Sequence, residues 1–269
     1  GEAFTFIFIA FVVSMTGWQF GFLSAGMLGI IGAVLIFIFL KPFPHDAIDG
    51  DVFVNRKEIG KKQLSVLKSG TIWLLALSSA FMYISRYAVN SWGVYYFEVE
   101  KHYSIVEASG LISISSICGI IGTVFSGLLS DKLFRGKRYI PACLASFMNL
   151  IALYLFLYIP DGGKLMDIVA MVLFGISIGI LICYLGGLMA IDLAPKEATG
   201  AAVGVIGIAS YMAAGIQDIL SGFFIESKKQ IIGGVEIIDF SFIRMFWILS
   251  AMVSLLLLIC IYYKHHRRV

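Results

Sequence analysis

The clearest chemistry in the sequence lies in three residues, Tyr83, Arg86 and Asn90, at i−3, i and i+4 inside an otherwise apolar run, so that all three share one helix face. A guanidinium is always charged and presents a planar fork of donors matched to a phosphate dianion. A phenol and an amide add hydrogen bonds to phosphate or sugar oxygens. An arginine at bilayer depth costs roughly 2.5–3.5 kcal/mol on insertion scales. It marks a ligand site or pathway, or else a structural cation paired with a carboxylate elsewhere, for which Asp218 is the obvious partner. Tyr211 reaches a depth close to that of Tyr83 in a later run, and Asp218 follows on the same face beside Gln217. Tyr211 is a ligand contact or an aromatic packed among glycines. Asp218 selects the organic group of a ligand or is solvated at the rim of an outward cavity.

A second constellation is the turn Gly127-Leu-Leu-Ser-Asp131-Lys132-Leu-Phe-Arg135-Gly-Lys137-Arg138. One acid and four bases between two apolar runs suit a conformational latch of Gly127, Asp131, Lys132, Arg135 and Arg138. Asp131 would cap a neighbouring helix start or pair with a base on a partner helix. The alternative is a merely solvated basic loop. Asp192 and Glu197 flank Pro195 and read as surface caps. His45, His102, His265 and His266 fall in joints or the tail, which argues against a histidine proton relay. Cys118, Cys143, Cys183 and Cys260 lie in apolar runs without metal-ligand spacing, so neither a metal, a cofactor nor a disulfide framework is expected. No nucleophile–base pair falls at membrane depth, so an enzyme is the least expected class.

The elements that must position these residues are membrane helices. The chain has 269 residues, 59% hydrophobic and 14% charged, with a mean hydropathy of +0.93, far from the roughly 25% charged residues of soluble domains. Eight spans are expected, at about 2–16, 21–40, 70–97, 106–129, 139–159, 166–193, 199–225 and 242–263. The first is short for a crossing, and the chain opens with Gly, so a processed or truncated start is expected. Of 20 basic residues, fourteen fall in alternate joints on one side and four on the other. By the positive-inside bias the first side, with the C-terminus, is cytoplasmic, and nucleic acid is not an expected partner. The polar joint 41–69 divides the chain into two spans (1–40), a cytoplasmic linker and a complete six-helix bundle with a cytoplasmic tail (70–269), as in a twelve-span transporter built of two halves. Gly17/Gly21, Gly175/Gly179 and Gly200/Gly204 are expected to be close helix contacts.

The 127–138 turn resembles the Gly-x-x-x-Asp-Arg/Lys-x-x-x-Arg/Lys motif of the major facilitator superfamily, and its Ser-Asp-Lys-Leu-Phe-Arg-Gly-Lys-Arg form resembles the organophosphate:inorganic phosphate antiporter branch. Gly17-Trp18-Gln19-x-x-Phe22, Arg86-Tyr-Ala-Val-Asn90-Ser-Trp92-Gly93 and Leu193-Ala-Pro195-Lys196-Glu-Ala-x-Gly200 agree with it. The resemblance runs over the fifth to twelfth helices of that family. It implies an all-α polytopic major facilitator bundle with about 8 of 12 transmembrane helices, in a bacterial inner membrane. It also implies exchange of an organic phosphate for inorganic phosphate, with Arg86 and Tyr83 at the family's phosphate-binding positions and Tyr211 at a pocket position. Two positions depart from the pattern: Ser116 stands where the family has an acid, and Ile180-Leu181-Ile182 where it has Tyr-Gly-Pro. The first-helix arginine that the family pairs with the seventh-helix one falls outside this sequence. A transporter-like receptor that senses sugar phosphate and signals to a histidine kinase is the rival implication, and an inactive remnant is a third.

Overall fold

A computed structural model describes residues 8–9, 11–13, 15–39, 56–159, 163–232 and 235–266. The long apolar runs are helices because backbone groups at bilayer depth must be satisfied within their own segment. In chain order the helices are α1 (Trp18–Phe39), α2 (Arg56–Leu67), α3 (Gly70–Val99), α4 (Ile105–Leu128), α5 (Tyr139–Tyr158), α6 (Lys164–Cys183), α7 (Met189–Leu193), α8 (Thr199–Ser227) and α9 (Ser241–His266). A π-turn, Leu129–Leu133, extends α4. A second, Tyr184–Leu188, joins α6 to α7, and a 3-10 turn, Lys196–Ala198, precedes α8. Among the described residues seven helices are long and apolar enough to cross a membrane, with α4, α6 and α8 counted together with these extensions. The eighth expected span, 2–16, lies partly outside the described residues and is helical at 8–9, 11–13 and 15–16.

Within the polar joint 41–69, residues 41–55, with His45, lie outside the described residues, and 56–67 form α2. The bundle is helical as expected, and a short hairpin of β1 (Lys229–Ile232) and β2 (Val235–Ile238), Lys229 opposite Ile238, lies in the α8–α9 joint. β-Branched residues around a Gly-Gly pair favour that hairpin over continued helix. After it Asp239 accepts from the Ser241 N–H at 2.9 Å, and hydrogen bonds from Ser241 hold its carboxyl below the ordinary carboxylate range.

α3 is the hub of the bundle, packed against α4, α8 and α9. Its small polar residues bond to three neighbours. Ser78 and Ser254 of α9 exchange hydroxyl-to-carbonyl bonds at 3.0 and 2.8 Å. The Ser79 and Ser210 hydroxyls meet at 2.8 Å across to α8, and Asn149 of α5 donates to the Ser85 hydroxyl at 3.2 Å. Such side-chain bonds between helices hold where the hydrophobic effect contributes nothing between apolar surfaces.

α4 and α6 meet backbone to backbone. A Cβ on Gly175 would lie 2.1 Å from the Ser115 carbonyl oxygen, one on Gly179 2.1 Å from that of Gly119, and one on Gly122 2.3 Å from that of Ile176. Of the three expected glycine pairs, Gly175/Gly179 makes this contact. Gly200 and Gly204 have open space where a Cβ would go. Gly21 meets Val13 and Ile9 of its own neighbourhood, and Gly17 turns the chain at φ +96°.

Charges collect at the two ends. At one, which we call the basic end, α2 docks through buried Val66, and Lys62 pairs with Glu197 at 3.2 Å. At the other, Lys101 forms a buried ion pair with Asp167, which also accepts from the Tyr103 hydroxyl at 2.8 Å. The Lys101 ammonium lies over the Phe97 and Phe156 rings. Arg244 pairs with Glu100, and Lys164 with Glu107 at 2.8 Å, where Glu107 also closes a capping box with Ser104 at the start of α4.

Two stability measurements follow. Gly179→Ala forces a Cβ into carbonyl oxygen and should cost about 1–3 kcal/mol in thermal unfolding of the detergent-solubilised protein, while Gly204→Ala should leave the melting temperature within a degree or so. Lys101→Met strands a buried carboxylate and should cost about 3–5 kcal/mol, with most of the loss recovered in Lys101→Met/Asp167→Leu.

Candidate functional site

The contact of α4 with α6 leaves a cavity of about 190 Å³ between those helices and α3. Arg86 enters it 16 residues along α3, about 24 Å from the start of the helix at 1.5 Å per residue, which against a hydrocarbon core of about 30 Å falls inside it or at its outer third. Asn90, one turn on, lines the same wall. Facing them are Ser115, Ser116 and Thr123 of α4 and the glycine face of α6, with Phe174, Ile178 and Ile182 closing the apolar part. The Ser115 hydroxyl donates to the Ile112 carbonyl at 2.7 Å and that of Thr123 to backbone as well, so the donors suited to an oxyanion in this otherwise apolar cavity are the Arg86 cation, the Asn90 amide and the Ser116 hydroxyl.

The guanidinium is held by stacked aromatics. Its carbon lies 5.5 Å from the centre of the Tyr83 ring and 5.6 Å from that of Tyr87. The two rings stack on each other at 6.0 Å. Tyr87 was not singled out from the sequence, although its position next to Arg86 makes it the natural second plane of a cation–π contact. Tyr83 is buried, and Tyr211 of α8 meets it edge to face at 5.4 Å. Tyr83 and Tyr211 therefore come together at the expected common depth, but neither lines the cavity, and Tyr211 is 61% exposed. Asp218 also stays off the cavity wall, one of its carboxylate oxygens buried without a hydrogen-bond partner. Beside it Gln217 donates to Ser221 at 2.9 Å, and Ser221 also accepts from the Trp247 indole of α9 at 3.0 Å.

Ser116, noted in the sequence as a departure, is on the cavity wall with a buried hydroxyl that has no hydrogen-bond partner. Ser115 and Thr123 went unnoticed. Their signal is a small-and-polar stripe at helical spacing, Ser115, Gly119, Thr123, which a search for charges passes over. Thr123 donates to the Gly119 carbonyl at 2.9 Å and across to that of Gly179 at 3.2 Å.

The turn at the basic end differs from the expectation in which residue reaches across. Asp131 is exposed and accepts from the adjacent Ser130 hydroxyl at 2.8 Å, and among the described residues it neither caps a neighbouring helix nor pairs with a base. Gly127 has open space around it, and Lys132 and Arg135 are exposed. Arg135 and Gly136 adopt left-handed backbone, φ 50° and 80°, to close the turn. The residue that spans helices is Arg138, at the start of α5. It donates to the Leu188 carbonyl at 2.8 Å and to Asp192 at 2.7 Å. Asp192 and Glu197 are thus ion-pair partners of Arg138 and Lys62 rather than caps. The Tyr184 hydroxyl closes the same region by donating to the Ser126 carbonyl at 2.6 Å.

Comparison with known proteins places the chain in a family. The family model for the Major Facilitator Superfamily matches residues 1–217. The chain is 29% identical over 228 residues to the glycerol-3-phosphate transporter of Bacillus subtilis (strain 168), covering 78% of this chain and 50% of that protein. It is 30% identical over 236 residues to the membrane sensor protein UhpC of Salmonella typhimurium (strain LT2), covering 80% and 52%. To the hexose-6-phosphate:phosphate antiporter of the same organism it is 30% identical over 211 residues, covering 76% and 42%. The chain spans about half the length of the curated relatives it matches.

Arg138→Gln removes a charge-assisted bond across three helices. Exchange of backbone amides in Tyr184–Leu193 should accelerate about tenfold, as expected for roughly 1.5 kcal/mol of local stability, when read by hydrogen–deuterium exchange in detergent.

Proposed function

We propose that this chain, which belongs to the Major Facilitator Superfamily, forms part of a secondary transporter that exchanges an organic phosphate ester for inorganic phosphate by alternating access. The single observation that carries the proposal is Arg86, packed beside the Tyr83 and Tyr87 rings at membrane depth on a cavity wall that also carries Asn90 and the Ser116 hydroxyl. An intramembrane cation facing such a cavity is matched to an oxyanion, and its fork can take two phosphate oxygens at once. The names of the glycerol-3-phosphate transporter and the hexose-6-phosphate:phosphate antiporter support the same ligand class.

In this reading residues 70–269 are one six-helix half, 1–40 contribute the last two helices of the other, and 41–69 link them. The basic end is cytoplasmic and the membrane is a bacterial inner membrane. The ester enters between the halves, and its phosphate settles on Arg86 and Asn90, with Ser115, Ser116 and Thr123 opposite. Binding favours the state in which both halves contact the anion, and the halves rock about it. Release on the far side leaves a site that inorganic phosphate, with the same oxygens, can fill for the return. Tyr83, Tyr211 and Asp218 lie beside this path, Asp218 closest to a role in choosing the organic group. Gly127, Asp131, Lys132, Arg135 and Arg138 form the latch at the cytoplasmic end, with Arg138 its cross-helix bond.

A second reading, a membrane receptor for external sugar phosphate that signals to a histidine kinase, is favoured by the match to the sensor UhpC. The two share a binding site and differ in whether cargo crosses.

Full-length protein in proteoliposomes loaded with phosphate should exchange it for external phosphate ester. Arg86→Lys keeps the charge but loses the fork, and should lower exchange about ten- to a hundredfold, a loss of roughly 1.5–3 kcal/mol in a charged hydrogen bond. Wild-type exchange in Arg86→Lys would sink the site assignment. Binding of ester by the wild type without any exchange would favour the receptor.

A further inference from the structure

α2 divides its residues between two faces. Ile59, Lys62 and Val66, at i, i+3 and i+7, turn to the bundle: Val66 is buried, and Lys62 reaches Glu197 and Glu58. Lys61, Leu64 and Lys68 form the opposite stripe and are all exposed. Among the described residues neither Lys61 nor Lys68 has an acidic partner, and the nearby acids Glu58 and Glu197 are engaged by Lys62.

The surroundings of this stripe are apolar rather than aqueous in character. Leu64 and Leu67 are 59% and 48% exposed. Trp73, in the first turn of α3, donates its indole N–H to the Leu67 carbonyl at 2.8 Å, and the rest of its ring projects from α3 on the side where Leu77 is also exposed. An exposed tryptophan at the end of a spanning helix, its polar edge bonded and its ring outward, sits at the level of the interfacial aromatic belt. The carboxy-terminal turn of α2 is therefore at headgroup level. The Nζ of Lys264, near the end of α9, comes within 3.7 Å of where a Gly70 Cβ would lie, which brings a third cation to the same junction.

We propose that this face, Lys61, Leu64 and Leu67 of α2 and Lys68 in the turn after it, with Lys264 of α9, docks α2 on the anionic phospholipid headgroups of the leaflet at the basic end. The leucines enter the acyl boundary while the lysine stems run along it and place their ammonium groups among the phosphates. Each lysine near an anionic surface contributes roughly a fivefold preference for it. The inference goes beyond the transport reading and draws from it only the placing of the basic end at the cytoplasmic leaflet. It makes α2 a peg joining the interdomain segment to the membrane as well as to the bundle.

The test uses full-length protein in nanodiscs of phosphatidylcholine alone or with about a third phosphatidylglycerol. Both faces of such discs carry the same lipid, so the readout depends neither on orientation nor on transport. Hydrogen–deuterium exchange of residues 58–68 should slow at least fivefold when phosphatidylglycerol is present. That slowing should vanish in Lys61→Gln/Lys68→Gln and at high salt, and persist in Lys228→Gln, which lies at the opposite end. Equal exchange in the two lipids overturns the proposal. So does slowing that survives Lys61→Gln/Lys68→Gln, slowing lost equally in Lys228→Gln, or the same protection produced by free inorganic phosphate in phosphatidylcholine discs.

Discussion

The backbone contact of α4 with α6 is the constraint on which the rest of the site depends. With carbonyl oxygens of one helix set 2.1–2.3 Å from where Cβ atoms of the other would be, the two axes come as close as packed helices can, and only glycine permits it. The cavity lies between this pair and α3. Its walls are consequently made of the residues that make the contact possible. Ser115, Gly119, Gly175 and Gly179 serve packing and lining at once.

Across the cavity α3 solves a different problem. A helix carrying a guanidinium at bilayer depth must turn it to the cavity and away from lipid. Its serines do this by bonding to α5, α8 and α9, which fixes its rotation. Tyr83 and Tyr87 then pack beside the guanidinium and restrict its rotamers.

The two ends are held by different means. At one, Lys101 and Asp167 are buried together under aromatic rings, a pair that tolerates no loss of either partner, beside the partly exposed bridges Arg244–Glu100 and Lys164–Glu107. At the other, the bridges Arg138–Asp192 and Lys62–Glu197 are partly exposed, and two π-turns interrupt the helices beside them. Exposed pairs and π-turns open at low cost, and π-turns recur where helices must change shape. The asymmetry leaves the basic end as the more readily rearranged one.

Much of this molecule was legible in the sequence for a physical reason: the bilayer admits few backbone solutions, so a run of apolar residues is a helix wherever it stands. The spans, the uneven distribution of basic residues and the depth of Arg86 follow from counting, and the shared level of Tyr83 and Tyr211 follows from a rise of 1.5 Å per residue. Tertiary structure decided what periodicity leaves open, namely which faces meet. Gly175/Gly179 and Gly200/Gly204 are indistinguishable as patterns, yet one is a contact and the other faces open space. Asp131 and Asp192 are both acids at a helix end, yet Arg138 reaches only the second, because the α6–α7 π-turn brings it within 2.7 Å. Tyr211 and Asp218 share the depth of the site but stand on a helix whose cavity-side neighbour is α3 itself, so they back the site instead of lining it. Depth is a property of one helix and can be read along the chain, whereas facing is a property of pairs and exists only once the bundle has closed.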